Sequence, residues 1–230
     1  MLDLTTWNLT VPATSSTTLI TTQRLNAGYS SQYFRPQRDH SVVFWVPVNG
    51  SRTASARYPR SELRETLRNG TLHNWYFSEA DNILSAVLSV QQLPSKNKLV
   101  IGQIHSKDEP GSNNDPLLKL QYHLVNGTGR IEALLRKYPG DSTVQNIILV
   151  NDVSLDERFS YQLRLTPSGR LRISVHSADD NGTYYRQLSS SWGLQQLYFK
   201  AGAYAQDNYG PSSEGARATF YHLNTLHRKP

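Results

Sequence analysis

The sequence predicts an all-β fold, a jelly-roll sandwich in which two antiparallel sheets pack face to face. Three observations carry this. Extended, β-rich segments follow one another from residue 42 onward. Asn-Gly pairs recur at 49–50, 69–70, 126–127 and 181–182, and both residues tolerate the positive φ of a tight hairpin turn. Amphipathic helical periodicity is nearly absent, with room for one short helical turn around Ser189 to Gln196.

In order, Leu2 to Pro12 is a short mixed opening in which Trp7 serves as a core plug. Residues 13–41 are rich in Ser, Thr, Asn and Gly and read as loops with brief extended pieces. Val42 to Val48 is an apolar β run closed by Asn49-Gly50. Further strands are expected over Arg60–Leu67, Ile83–Gln91, Leu99–His105, Leu117–Leu124, Ile131–Lys137 and Asn146–Val150. Tyr161–Leu165, Leu171–His176, Thr183–Gln187, Tyr198–Gln206 and Ala218–Leu223 complete the series. Each Asn-Gly precedes Ser or Thr and so also matches a glycosylation sequon. The hairpin reading is preferred because a turn also accounts for the β patterns on either side.

No repeat and no low-complexity linker divides the 230 residues, so a single domain spanning 1–230 is expected. The absence of cysteine excludes disulfides and thiolate metal sites. Lys and Arg total 24 against 18 Asp and Glu, a net charge of +6, which suits an acidic partner. No apolar run approaches the ~20 residues that span a bilayer, and no membrane partner is expected. The N-terminus lacks the basic and apolar regions of a secretory signal; a removed leader and a cytoplasmic protein both fit. Aromatic and basic residues do not interleave as stacking platforms for nucleic acid would.

Three stretches carry unusual polar rows. In Tyr198–Gln206, alternation puts Phe199, Ala201, Ala203 and Ala205 on one face and Tyr198, Lys200, Gly202, Tyr204 and Gln206 on the other. A glycine inside such a row marks close approach of a ligand or another backbone, and the row reads as the floor of a binding groove. In the second stretch, Arg60, Glu62, Arg64 and Thr66 share a face, with Glu62 able to hold the arginine forks in place. An exposed strand laced with ion pairs would have the same pattern. In the third, Leu99, Ile101, Gln103 and His105 share a face opposite Val100, Gly102 and Ile104. The next strand adds Lys119, Gln121 and His123 in one row. Ser106 to Pro116 is a polar loop following His105, placed either as a flap over a site or as a plain solvent loop.

Other chemistries find little support. There is no glycine-rich phosphate loop, no His-Glu-x-x-His and no Gly-x-Ser-x-Gly. Asp179-Asp180-Asn181-Gly182 is half a calcium loop set in a hairpin. The seven histidines are scattered without metal-ligand spacing, and no metal is expected.

Taken together, Arg-Ser-Glu-Leu-Arg at 60–64, Gln-Ile-His at 103–105 and Tyr-Phe-Lys-Ala-Gly-x-Tyr-x-Gln at 198–206 resemble the three signature blocks of the alginate lyases of polysaccharide lyase family 7. Order and spacing match, and the opening around Trp7 to Pro12 is also similar, so the resemblance spans nearly the whole chain. It implies a jelly roll with a concave substrate groove, β-elimination of a 1,4-linked uronate polymer, and no cofactor. Position by position, it implies Arg60, Gln103, His105 and Tyr204 as catalytic residues. Arg64, Lys200 and Gln206 would bind substrate with Glu62 in support, and Lys119 and Gln121 extend the binding row. Ile104 looks like the variant associated with guluronate-containing blocks.

The chemistry explains these residue types. Removing the C5 proton beside an ionised carboxylate builds further negative charge, which Arg60 and Gln103 would stabilise by hydrogen bonds. Tyr204 would protonate O4 and, for mannuronate, also take the proton; for guluronate neutral His105 is the expected base. Arg60 and Lys200 are expected to ease ionisation of Tyr204 by their charge. The expected partner is the anionic polysaccharide, acted on by a monomer outside the cell. A lyase for another polyuronate such as glucuronan, or a non-catalytic polysaccharide-binding module, is the alternative.

Overall fold

A computed structural model describes residues 2–13, 15–109 and 114–229. One sheet has eight strands in the order β10 (Val144–Val150), β9 (Thr128–Arg136), β8 (Leu118–Val125), β7 (Lys98–Ser106), β14 (Leu197–Ala205), β5 (Arg60–Glu65), β1 (Trp7–Val11) and β2 (Thr18–Ile20). The other has seven, in the order β13 (Asn181–Gln187), β12 (Arg170–His176), β11 (Phe159–Leu165), β6 (Asp81–Gln92), β15 (Gly215–Arg228), β4 (Val42–Pro47) and β3 (Phe34–Pro36). Neighbouring strands are antiparallel in both. This is the expected all-β jelly roll. One short helix, α1 (Thr22–Asn26), lies in the region read as loop; Thr21 caps it by accepting from the Arg24 N–H. The helical turn expected near residue 190 is a 3₁₀ turn over Ser190–Leu194.

Period-two alternation builds the core between the sheets. Leu84, Ala86, Leu88 and Val90 of β6 face Phe199, Ala201, Ala203 and Ala205 of β14 within one buried cluster, and Trp7 is fully buried as expected. Facing positions filled by alanine on β14 leave space for large partners such as Phe44 and Phe220, whose rings meet edge-on at 5.2 Å.

Two of the four Asn-Gly pairs do not make hairpins between neighbouring strands. Asn126-Gly127 does, with φ of 51° and 81° joining β8 to β9, and Asn69-Gly70 closes a short turn between the bridged Thr66 and Leu72. Asn49-Gly50 follows β4, and the chain then passes to the other sheet, so no hairpin forms. Asn181-Gly182 opens β13 itself. The glycine is needed there because a Cβ would sit 1.9 Å from the carbonyl oxygen of Leu149.

Candidate active site

Register on the eight-stranded sheet gathers the three polar stretches. Tyr204 lies opposite Arg60, Gly202 opposite Glu62, and Lys200 opposite Arg64. On the other side of β14, Lys200 pairs with Gln103 and Tyr198 with His105. Lys119 on β8 follows beside Gln103. One outward face therefore runs from His105 and Tyr198, through Gln103, Lys200 and Glu62, to Arg60 and Tyr204.

Glu62 is the hub. It is almost fully buried, and its oxygens accept from Arg60 Nη1 at 3.0 Å, Lys200 Nζ at 2.6 Å and Gln103 Nε2 at 2.5 Å. Burial works to raise its pKa, but the charges of Lys200 and Arg60, with the Lys200 and Gln103 hydrogen bonds, outweigh that and hold it low. The carboxylate thus stays ionised and orients three donors at once. It does not hold both arginines, as the sequence suggested. Arg64 turns away, donating to the carbonyl oxygens of Glu65 and His73 and to Asn74 Oδ1. Its guanidinium carbon lies 3.8 Å from the centre of the Tyr198 ring.

Burial first, and then the charge of Arg60, pull Lys200 down to about 8. Burial, followed by the charge of Lys200, holds His105 down at about 3, so the imidazole is neutral. Its Nδ1 lies 2.8 Å from the carbonyl oxygen of Ser106, which can only accept. The proton therefore sits on Nδ1, and Nε2 carries the lone pair. Tyr198, which the sequence put on this face without a role, stacks on the ring at 5.2 Å, and its hydroxyl reaches Nδ1 at 3.2 Å.

Arg60 covers Tyr204, its guanidinium carbon 4.0 Å from the ring centre. The expected net easing of ionisation at Tyr204 is not found. Burial raises the phenol pKa by more than Arg60 lowers it, and the hydroxyl keeps its proton. Burial also lowers Lys119, assisted by nearby Arg136. Gln121 is buried and gives Nε2 to Glu132 at 2.6 Å. Glu132 also binds His123 at 3.0 Å and Arg130, a second carboxylate hub that alternation of Arg130 and Glu132 hinted at. Gln206 donates to the carbonyls of Tyr204 and Ala205.

Two irregularities correct the expected alternation. A bulge between Val100 and Gly102 shifts β7 against β8. Leu99 and Ile101 consequently join Ile104 in the core instead of sharing the face of Gln103 and His105. Ile104 is fully buried and can influence a bound sugar only through its neighbours. Gly102 packs under Tyr161, whose hydroxyl donates to the Ile101 carbonyl at 3.0 Å.

At Gly202, φ is 137°, and a Cβ would lie 2.8 Å from the Ser61 carbonyl oxygen. Of the two reasons for a glycine here, close approach of another backbone is the one realised. Gly202→Ala is expected to cost about 1–3 kcal/mol, read as a lower urea midpoint at unchanged slope; an unmoved midpoint would contradict this. Of the loop after His105, residues 110–113 lie outside the described residues, so neither reading of it is decided.

A family model described as alginate lyase matches residues 2–227. The chain belongs to the alginate lyase family. Its fold superimposes with a TM-score of 0.93 on the crystal structure of an alginate lyase from Pseudomonas aeruginosa, with 44% identity over 98% of this chain and 100% of that one. Alginate lyase A1-II′, described as a member of polysaccharide lyase family 7, gives a TM-score of 0.86 at 29% identity, covering 100% of this chain and 97% of that one. A variant of that enzyme with a histidine replaced by asparagine and a tyrosine by phenylalanine was crystallised with a substrate written GGMG. An alginate lyase of Klebsiella pneumoniae is 28% identical over 98% of this chain and 89% of its own length. As a family member this chain is a polysaccharide lyase, and its catalytic chemistry can be sought in the row around Glu62.

Proposed function

We propose that the chain is one catalytic domain that cleaves alginate within the polymer by β-elimination, acting on guluronate-containing blocks. The observation carrying this is the Glu62 hub: one buried carboxylate orients Arg60, Gln103 and Lys200 on a single face. A uronate carboxylate seated there receives hydrogen bonds from Arg60 and Gln103. Those bonds strengthen as the C5 carbanion delocalises into the carboxylate, which favours the transition state over the ground state.

His105 Nε2 takes the C5 proton, the C4–O4 bond breaks with its electron pair going to O4, and the Tyr204 phenol gives O4 its proton. A C4–C5 double bond remains. His105 and Tyr204 stand at opposite ends of the row, which suits guluronate, where H5 and O4 lie on opposite sides of the ring. The entering carboxylate raises the basicity of the imidazole. Arg64, Lys119, Gln121, Lys200 and Gln206 line the approach and bind neighbouring residues of the polymer. A row that continues onto β8 accommodates several sugars and so favours internal cleavage. The polymer lies outside the cell, and export of a monomeric enzyme fits that substrate.

The experiment is product analysis on poly-mannuronate, poly-guluronate and alternating substrates, followed by the absorbance of new C4–C5 double bonds. Unsaturated oligomers of several sizes from the guluronate-containing substrates support the reading; release of monomer alone, or no absorbance, refutes it. Replacement of His105 by Asn is expected to lower kcat on poly-guluronate about 10²-fold or more, and less on poly-mannuronate.

The pH profile follows from the lowered His105 pKa. Because the imidazole stays neutral down to about 3, kcat/KM should have no inflection near the ordinary 6.5. Between about 3 and 6.5 the unfolded chain binds the proton that the folded chain refuses. This contribution to stability is therefore lost as pH falls through that window. A kinetic limb at 6.5 that disappears in His105→Asn would contradict the assignment.

A further inference from the structure

Glu65 alternates to the opposite face of β5 from Glu62, away from the catalytic row, and is buried at the edge of the core. Its Oε2 accepts from Trp75 Nε1 and from the backbone N–H of Phe199, each at 3.0 Å. Oε1 faces two imidazoles instead: His73 Nδ1 at 3.2 Å and, at very short range, His227 Nε2.

The protons at His227 are constrained by Asn82. The amide nitrogen of Asn82 donates to the carbonyls of Ala80 at 2.8 Å, Leu165 at 3.3 Å and Phe77 at 3.4 Å. Its oxygen is thereby turned toward His227 Nδ1, 2.7 Å away, and must accept. His227 therefore carries a proton on Nδ1. A neutral ring would then point the Nε2 lone pair straight at a carboxylate oxygen, so a cation has to lie between them. That cation is either a second proton or a metal ion.

We propose that Glu65, His73 and His227 bind a divalent transition-metal ion of the zinc class. The three ligand atoms lie within 4.8 Å of one another. Two imidazole nitrogens and one carboxylate oxygen form a donor set suited to zinc and its first-row neighbours. The outer contacts are those of a built site. Asn82 fixes the His227 ring through its far nitrogen, and two N–H groups hold the carboxylate oxygen that the metal does not use. The side chains of His73 and His227 are 26% and 19% exposed, which leaves a coordination position for water.

The ligands come from β5, the segment after it and the last strand, β15, so the ion would tie the end of one sheet to the other. Spacing along the sequence could not reveal it, since residues 65, 73 and 227 meet only through the fold. The proposed elimination uses none of them.

The test is a titration of the untagged full-length protein with Co²⁺ at neutral pH. One equivalent should produce the visible d–d bands of a four-coordinate ion, and Zn²⁺ should abolish them. Zn²⁺ at a hundredfold excess over Kd should also raise Tm by about 5 °C or more. His73→Ala removes one partly exposed ligand without touching the core, and should lose both signals while keeping its circular dichroism spectrum and lyase activity. His227→Gln should lose the bands as well. If the wild type develops no bands, or if both variants keep them, the proposal is overturned and the cluster is an imidazolium held by a carboxylate.

Discussion

Substitution of Tyr204 by Phe is expected to lower kcat on alginate by about 10²–10⁴-fold and to leave polymer affinity within a few-fold of wild type. The variant loses one oxygen atom. The ring stays packed beneath Arg60, whose guanidinium carbon lies 4.0 Å from its centre. The Glu62 hub, which organises the groups that seat a carboxylate, does not include the phenol. Burial keeps the phenol protonated in the free enzyme, the state a proton donor to O4 requires. Without that proton the leaving oxygen departs as an alkoxide, and the double bond does not form at a useful rate. Absorbance of the unsaturated ends, measured beside a binding isotherm for the same variant, separates chemistry from binding. Near-normal turnover would remove Tyr204 from the mechanism.

Removing the charge of Glu62 should have the largest effect on stability. Glu62→Gln leaves Lys200 and Arg60 without their counter-charge, and Lys200 is nearly as inaccessible as the carboxylate it pairs with. Breaking a buried pair from one side typically costs about 3–5 kcal/mol. A loss of that order is expected in urea unfolding near neutral pH, together with a steep fall in kcat/KM because Gln103 and Arg60 lose their common anchor. The difference depends on pH with a definite sign. The wild-type carboxylate has its pKa held below about 4.5, so its contribution is present above that value and is lost as pH falls below it. The gap between wild type and Glu62→Gln should therefore narrow in acid. A gap that is absent at neutral pH would mean the hub does not hold the site together.

The sequence carried the site further than its surroundings. Tyr198–Gln206 could be read because its alternate positions are apolar and small. Phe199, Ala201, Ala203 and Ala205 are all fully buried, and with one face committed to the core the other follows. The same logic failed at Leu99–Ile101. A single extra residue in β7 reverses which side chains point inward, and nothing in an apolar run of Leu, Val and Ile announces a bulge. Asn181-Gly182 misled for a related reason. Its glycine answers the Leu149 backbone from a distant strand, whereas the dipeptide rule is purely local. Arg64 was expected to share Glu62, yet carbonyls of the segment after β5 capture it. The helix over Thr22–Asn26 is too short to display a period. Contacts assembled from distant parts of the chain, such as Glu65 with His227 or Gln121 with Glu132, leave no local signature at all.

The central claim is that one sugar's carboxylate, C5 and O4 meet the ends of a single row. A crystal structure of the Tyr204→Phe variant soaked with a guluronate oligomer tests it most directly. One uronate should place its carboxylate oxygens within about 3.2 Å of Arg60 and Gln103 donors, with C5 facing His105 Nε2 and the glycosidic oxygen over residue 204. An oligomer seated with its carboxylates away from Arg60 and Gln103, or with His105 and residue 204 reaching different sugars, would contradict it.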